Sequence, residues 1–157
     1  MKLTKDQVIE ILPHRDPFLF IDEVYSIHAE GEITAPKDLV GSVVQAGYFT
    51  REDHEIFKGH FPGNPILPGV VQVEMMAQAT SFSLMLLDPE LPNKQFDVAL
   101  LSISNAKFRK PVLPNMQLTI KTTCKKLRAN FLENDSQIFH EGELMSEATV
   151  FASFKIS

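Results

Sequence analysis

A histidine and a glutamate have the residue types and surroundings for acid–base chemistry. His60 lies in a stretch rich in proline and glycine, and an imidazole titrates near neutral pH, where it can act as a base. Glu74 lies in an apolar segment, where three of its four neighbours three and four positions away are apolar: Val70, Val71, Ala77 and Gln78. An isolated carboxylate there would be costly, so Glu74 should be paired or stay protonated. A protonated carboxyl group is what a general acid requires.

These two residue types also have purely structural explanations. Glu74 alone is as consistent with a buried carboxylate tied to a backbone group or an arginine, although Gln78, one turn on, is placed to hold its carboxyl group. A loop histidine is usually a bystander, which is the interpretation given to the other four: His14, His28, His54 and His140. No His/Cys/Asp grouping has metal-ligand spacing, so no metal is predicted.

The Pro68-Gly69 pair predicts a helix start between these two residues. The first backbone N–H groups of a helix have no acceptor within it and lie at its positive end. They can therefore bind a developing oxyanion, and the absence of a side chain at Gly69 lets a substrate carbonyl approach closely. Base, acid and oxyanion donors together suit proton abstraction next to a carbonyl, with loss of a group one carbon further on.

The segment from Gly69 to Leu87 has the pattern of a helix, roughly 28 Å long at 1.5 Å per residue. It is apolar on nearly every side, which is typical of a buried helix. Met75, Met76, Phe82 and Met85 could line a tunnel but are interpreted as core.

The remaining elements are one short helix and several strands. Thr4 is placed as an N-cap with Gln7 three residues on, and that helix ends before Pro13. Residues 53–68 are predicted to be irregular. Strands are predicted at Phe18–Ile27, Gly31–Ala35, Phe96–Ser104, Leu118–Cys124, Phe131–His140 and Glu143–Ile156, with Glu141-Gly142 as a hairpin turn. The order favours one α+β domain over 1–157 with the sheet wrapped around the helix.

Composition narrows the class of protein. The chain is 44% hydrophobic and 22% charged, as globular proteins are. Its net charge of −5 argues against nucleic-acid binding through phosphate contacts. No secretory signal or membrane span is recognised, and a lone cysteine, Cys124, fits a reducing compartment. A cytoplasmic protein is therefore expected.

One stretch of the chain is basic. No Asp or Glu interrupts it, and it contains Lys107, Arg109, Lys110, Lys121, Lys125, Lys126 and Arg128. It is either a solvated strand face or a docking patch for an acidic partner.

Residues 59–78 closely resemble the signature of the 3-hydroxyacyl-acyl carrier protein dehydratases, the FabZ family. The signature joins His60-Phe61-Pro62, Pro68-Gly69, Glu74 and Met76-Ala77-Gln78 at fixed spacing. Ile11–Phe18, Lys107–Val112 and Glu141–Leu144 resemble further family motifs, so the resemblance covers nearly the whole chain. Departures occur at Asp16, Met75 and Asn115, where the family usually has an aromatic residue, a small residue and a glycine, and they leave the acyl-chain preference and the pathway open.

The resemblance implies a hotdog fold, with a curved antiparallel sheet around a long central helix. It implies conversion of (3R)-3-hydroxyacyl to trans-2-enoyl chains on acyl carrier protein, with His60 as base, Glu74 as acid and the Gly69 N–H on the thioester oxygen. Phe61, Pro68 and Gln78 would complete the site. Glutamate rather than aspartate at position 74 favours dehydration without double-bond isomerisation.

The resemblance also implies partners. No metal or redox cofactor is expected, because the substrate arrives on the phosphopantetheine arm of an acidic carrier protein. Candidate docking residues are Lys58, Lys107, Arg109 and Lys110. Homodimers would share each site between subunits, with assembly to trimers of dimers as a further option. The alternatives are a hotdog acyl thioesterase and a catalytically silent hotdog subunit that binds acyl carriers.

Overall fold

A computed structural model describes all 157 residues. The chain begins with helix α1 (Lys5–Ile11), whose N-cap is the predicted Thr4. The Thr4 hydroxyl accepts from the Gln7 N–H while the Gln7 side chain accepts from the Thr4 N–H, which completes a capping box. Leu12 ends the helix in extended backbone just before Pro13, because a residue that precedes proline is disfavoured in helical conformation.

A six-stranded antiparallel sheet forms most of the molecule. Its strands are β1 (Glu23–His28), β2 (Val43–Phe49), β3 (Phe96–Phe108), β4 (Gln117–Arg128), β5 (Phe131–His140) and β6 (Glu143–Ile156). They are ordered β1-β2-β4-β5-β6-β3 across the sheet. Strand β3 is therefore an edge strand, paired only with β6.

The hairpin between β5 and β6 has the predicted bounds. Glu141 and Gly142 both have positive φ, 49° and 77°, as a two-residue turn of type I′ requires. Along β4 the alternation is also as predicted, with Leu118, Ile120, Thr122 and Cys124 buried and the intervening residues more exposed.

Helix α3 (Gly69–Thr80) packs against β2, β3, β4, β5 and β6, which confirms the prediction of a helix wrapped by a sheet. The prediction that it runs as α-helix to Leu87 is wrong, because residues Ser81–Leu86 form a 3-10 helix. The change accompanies hydroxyl groups that bond to backbone carbonyls: Thr80 donates to Met76 O and Ser83 to Thr80 O. Nor is the helix covered all round, since Val70 is 78% exposed.

Two predicted strands are corrected near the N-terminus. Phe18–Asp22 is not part of β1, although Leu19, Phe20 and Ile21 are buried. Its backbone bonds to the side chain of Gln78 instead, which substitutes for a strand partner. Residues Gly31–Ala35 form no strand either, because the Asp38 carboxylate accepts from the backbone N–H groups of Thr34 and Ala35 in a local turn.

The hydrophobic core lies between α3 and the inner face of the sheet. One cluster of 33 buried residues forms it, and Met75, Met76, Phe82 and Met85 all belong to it. These four side chains are therefore core, as interpreted from the sequence. None of the helices combines the length and apolar content needed to cross a membrane.

Candidate active site

His60 is held by the irregular segment that precedes α3. It follows a short helix, α2 (Ile56–Gly59), the one regular element within the region predicted to be irregular. Its Nδ1 lies 2.8 Å from Ile66 O, and because a carbonyl only accepts, Nδ1 must carry a proton. In the neutral ring the lone pair is then on Nε2, which has no partner in the chain and is available as a base. The Phe61 ring stacks on the imidazole, with ring centroids 4.0 Å apart.

A cavity of about 260 Å³ opens beside His60. Among the side chains and backbone that line it are His60, Gly69, Gln72, Phe108, Arg109 and Lys110. The structure thus brings the predicted base, the predicted oxyanion donor and two of the predicted docking residues to one place.

Gly69 is the first residue of α3, directly after Pro68 at the N-cap. Pro68 O accepts from the N–H groups of Val71 and Gln72, whereas those of Gly69 and Val70 have no acceptor in the chain. A Cβ atom at position 69 would lie 2.9 Å from the Phe108 ring. The close approach of Phe108 explains the need for glycine here, and the free N–H groups can bind an oxyanion.

Glu74 is paired rather than isolated. Its Oε1 accepts a hydrogen bond of 2.9 Å from Gln78 Nε2 and lies 3.2 Å from His14 Nε2. The side chain is 23% exposed, so Glu74 is half-buried, and its other oxygen has no partner in the chain. Gln78 therefore lies where the sequence predicted it, one turn on and in contact with the carboxyl group.

Gln78 is itself fixed by the backbone of the segment before β1. The Phe20 N–H donates to Gln78 Oε1 at 2.9 Å, and Gln78 Nε2 donates to Phe18 O at 3.0 Å. These two contacts determine which end of the amide is nitrogen, because a backbone N–H only donates and a carbonyl only accepts. The amide consequently presents a donor to Glu74.

The two halves of the predicted acid–base pair occupy different surroundings within one chain. Glu74 is absent from the residues that line the cavity beside His60, and its contacts are with Gln78 and His14. A single chain therefore presents His60 with free N–H groups in one place and Glu74 in another.

The predicted docking residues are only partly free. Arg109 lies 3.2 Å from Glu147, and Lys110 forms an ion pair with Glu143. Further along the basic stretch, Lys125 lies 3.7 Å from Asp135. Acidic residues of β5 and β6 thus offset part of a charge that looks uniform in sequence. Lys58 and Lys107 form no ion pair.

The departures from the FabZ pattern lie outside these contacts. Met75 is fully buried in the core, and Asp16 is 3.7 Å from Arg51 on the surface. Asn115 has a φ of 64°, a left-handed conformation that asparagine tolerates better than most residues.

Sequence reasoning missed two residues. His14 was interpreted as a bystander, yet it contacts Glu74; its position in the family-like motif Ile11–Phe18 was the available signal. Gln72 is 3% exposed, lines the cavity beside His60, and its Oε1 has no hydrogen-bond partner. Nothing in the local sequence marks it. Of the other histidines, His54 and His140 form hydrogen bonds with backbone atoms. The His28 side chain forms none.

Comparisons with known proteins agree with this architecture. Among solved structures, the dehydratase heterocomplex ApeI:P from Xenorhabdus doucetiae superimposes with a TM-score of 0.70 over 93% of this chain and 89% of that one, at 17% identity. The shared architecture is the hotdog fold, which confirms the predicted fold class.

Sequence comparisons are more specific. Residues 12–149 match the model of the FabA-like domain. The 3-hydroxyacyl-[acyl-carrier-protein] dehydratase FabZ of Magnetococcus marinus is 35% identical over 150 residues, which cover 96% of this chain and 90% of that protein. The bifunctional enzyme LpxC/FabZ of Chlorobaculum tepidum is 36% identical over 91% of this chain, which spans only 28% of that protein. The chain belongs to the FabA-like family and, within it, to the FabZ dehydratases.

Proposed function

We propose that this protein is a hydro-lyase that converts (3R)-3-hydroxyacyl-acyl carrier protein to the trans-2-enoyl form in fatty-acid or related acyl-chain biosynthesis. The observation that carries the proposal is the position of His60. Its Nδ1 is tied to Ile66 O, and it shares a cavity with Gly69, whose N–H is free. A base beside oxyanion donors is the arrangement that proton abstraction next to a thioester carbonyl needs.

The chemistry follows from these groups. His60 Nε2 takes the proton from C2 while the Gly69 N–H stabilises negative charge on the thioester oxygen. The C2–H electron pair forms the C2–C3 double bond, and the C3–O bond breaks with its own pair. Glu74 supplies the proton that turns the departing hydroxyl into water. Acid–base chemistry alone balances this step, so we propose that it needs no cofactor. Proton exchange through water then restores both residues.

We propose that each site takes His60 from one subunit and Glu74 from another. The edge strand β3 supports a dimer, because it is 13 residues long and exposes Leu100, Leu101 and Ile103. Such an edge leaves unpaired N–H and C=O groups and is normally covered. Pairing of two β3 strands about a two-fold axis would cover both edges at once. We also propose that three such dimers can assemble into a trimer of dimers.

We propose that the carrier protein docks near the mouth of the cavity. Arg109 and Lys110 line the cavity. Lys58 and Lys107 are exposed, and each lies two positions before a residue that lines it, His60 and Arg109 respectively. Since Arg109 and Lys110 have partners in Glu147 and Glu143, the unpaired Lys58 and Lys107 should contribute more per charge.

Charge reversal tests this docking surface. Lys58→Glu with Lys107→Glu should lower turnover of a carrier-borne substrate more than that of a free thioester analogue, because only the carrier is a large anion. Lys121→Glu with Lys126→Glu is the matched control within the same basic stretch. Equal losses on both substrates would contradict docking at this surface.

Two broader proposals complete the assignment. Residues 1–157 form one dehydratase domain, which is supported by the single core cluster. The protein acts in the cytoplasm, in agreement with its one buried free thiol, Cys124.

Mass spectrometry of a 3-hydroxyacyl carrier protein after incubation with the enzyme tests the function directly. We expect the carried chain to lose one water, and both His60→Ala and Glu74→Gln to abolish the loss. Release of free carrier thiol would instead identify a thioesterase. An unchanged substrate over several chain lengths would identify a silent subunit and overturn the proposal.

A further inference from the structure

His14 and Gln78 converge on the same oxygen of Glu74. Gln78 Nε2 donates to Oε1 at 2.9 Å, and His14 Nε2 lies 3.2 Å from that oxygen. The other oxygen, Oε2, has no hydrogen-bond partner in the chain. The two carboxyl oxygens of Glu74 are therefore inequivalent.

The protonation of His14 follows from its second nitrogen. Nδ1 is buried and has no hydrogen-bond partner. An imidazolium would place an N–H donor at that position with nothing to accept it, which is costly in a buried site. The neutral ring with its hydrogen on Nε2 leaves only an unpaired acceptor at Nδ1 and no buried charge, and its Nε2 lies 3.2 Å from Glu74 Oε1 as a donor.

We infer that His14 is a positioning residue for Glu74: it donates from Nε2 to Oε1, so that Oε2 is the oxygen that carries the catalytic proton to the substrate hydroxyl. The inference rests on the proposed function, in which Glu74 is the acid. With Gln78 and His14 both donating to Oε1, a hydrogen on that oxygen would face two other donors. The carboxylic hydrogen therefore belongs on Oε2.

The charges around Glu74 agree with this role. No lysine or arginine nitrogen lies within 4.0 Å of its carboxyl group. The nearest arginine in sequence to His14, Arg15, instead donates to Leu12 O and His14 O, each at 2.7 Å. A cation in contact would stabilise the ionised form before the reaction. Two neutral donors, His14 and Gln78, can bond to the carboxyl group both when it is protonated and when it is ionised.

The step is balanced with Oε2 as the donor. His60 receives the C2 proton, the C2–C3 double bond forms as the C3–O bond breaks, and the hydrogen of Glu74 Oε2 completes the water. The resulting carboxylate keeps its hydrogen bonds from His14 and Gln78, which strengthen as charge develops. Loss of the His14 donor should therefore affect kcat more than KM.

The experiment compares His14→Leu, which removes the donor, with His14→Gln, whose amide N–H can reach a similar position. We expect His14→Leu to lower kcat about ten- to hundredfold with little change in KM, and His14→Gln to recover most of it. His140→Leu is the matched control, because it removes a histidine ring that contacts Gln117 O, away from Glu74, and it should leave kcat unchanged.

A second background shows whether His14 acts through Glu74. In Glu74→Asp the shorter side chain withdraws the carboxyl group, so adding His14→Leu should have little further effect. An equal effect in both backgrounds, or a wild-type kcat for folded His14→Leu, would overturn the inference.

Nitrogen-15 NMR of the wild-type enzyme provides a measurement that does not depend on activity. We expect a neutral His14 ring with its hydrogen on Nε2. An imidazolium or the opposite tautomer would overturn the inference. This test needs only the wild-type protein, so it holds even if His14→Leu fails to fold. Failure of the proposed function is distinct from these outcomes, because the wild-type enzyme would then not dehydrate its substrate at all.

Discussion

At the scale of single residues, Gln78 joins parts of the chain that are far apart in sequence. Its amide bonds to Phe18 and Phe20 in the segment before β1 and to Glu74 on α3. Gln78 is 1% exposed, so water competes little with its buried hydrogen bond from the Phe20 N–H. One side chain thus fixes both the packing of a non-repetitive segment and the orientation of the proposed acid.

Substitution of Gln78 by leucine should therefore lower both stability and activity. The buried Phe20 N–H would be left without a partner, at a cost of roughly 1–3 kcal/mol in the free energy of unfolding. Urea denaturation measures that change. Gln137→Leu is the control, since the Gln137 amide forms no hydrogen bond, and its effect should stay within about 0.5 kcal/mol. An equal effect of the two substitutions would contradict the anchoring role of Gln78.

Substitution of Gly69 by alanine should lower activity without lowering stability. Alanine would place its Cβ 2.9 Å from the Phe108 ring, which is exposed and lines the cavity, so the ring would have to shift within the site. We expect kcat/KM to fall about ten- to hundredfold, since small misplacements in a site are costly, while the thermal midpoint does not fall because alanine favours helix. Gly31→Ala, where nothing lies within 4 Å, should change neither quantity. A lower midpoint with unchanged kcat/KM would contradict this assignment.

At the scale of elements, β4 shows how an alternating strand determines the chemistry of its side chains. Cys124 is on its inner face and 1% exposed. Burial raises the pKa of the Cys124 thiol from 9.0 to about 11, because the thiolate would lose its solvation. The thiol should therefore be inert to alkylation at pH 8 in the folded protein.

The raised pKa of Cys124 has a consequence for stability. Well below pH 9 the thiol is protonated in both the folded and unfolded states, so its contribution to stability is complete there. As pH rises from about 9 to 11 the unfolded state loses its proton first, which favours unfolding. Denaturation curves should show a steeper loss of stability over this range for the wild type than for Cys124→Ala. Identical slopes would contradict the pKa.

At the scale of the whole molecule, the proposed acid and base belong to separate surroundings of one chain. His60 shares its cavity with Gly69, whereas Glu74 accepts a hydrogen bond from Gln78 and lies 3.2 Å from His14. The exposed apolar edge of β3 is the surface through which a second chain could bring the two together.

Mixing two inactive variants tests this division. His60→Ala and Glu74→Gln should each be inactive alone, yet chains exchanged between them should regain about a quarter of wild-type activity. The reason is that half of randomly formed dimers are mixed, and each mixed dimer has one site with both residues intact. Turnover after unfolding and refolding the mixture measures it. No recovery, with dimers present by light scattering, would place both residues in one subunit.

Much of the site and fold could be predicted from sequence because it depends on near neighbours. Capping at Thr4, the β5–β6 turn, the alternation along β4 and the helix start at Gly69 are all encoded within a few residues. The same local logic failed for Phe18–Asp22, because an apolar run is compatible with a strand and with a buried irregular segment, and only Gln78, far along the chain, decides between them.

The sequence by itself determined the family, the hotdog fold and the residue types at the proposed base, acid and oxyanion donor. Only the tertiary structure decided that His14 contacts Glu74, that Gln72 has an unpartnered oxygen beside His60, and that Arg109 and Lys110 are paired with acids of β6. Hydrogen bonds and ion pairs of this kind join residues tens of positions apart. They exist only once burial and strand register have brought the two partners within about 3 Å of each other.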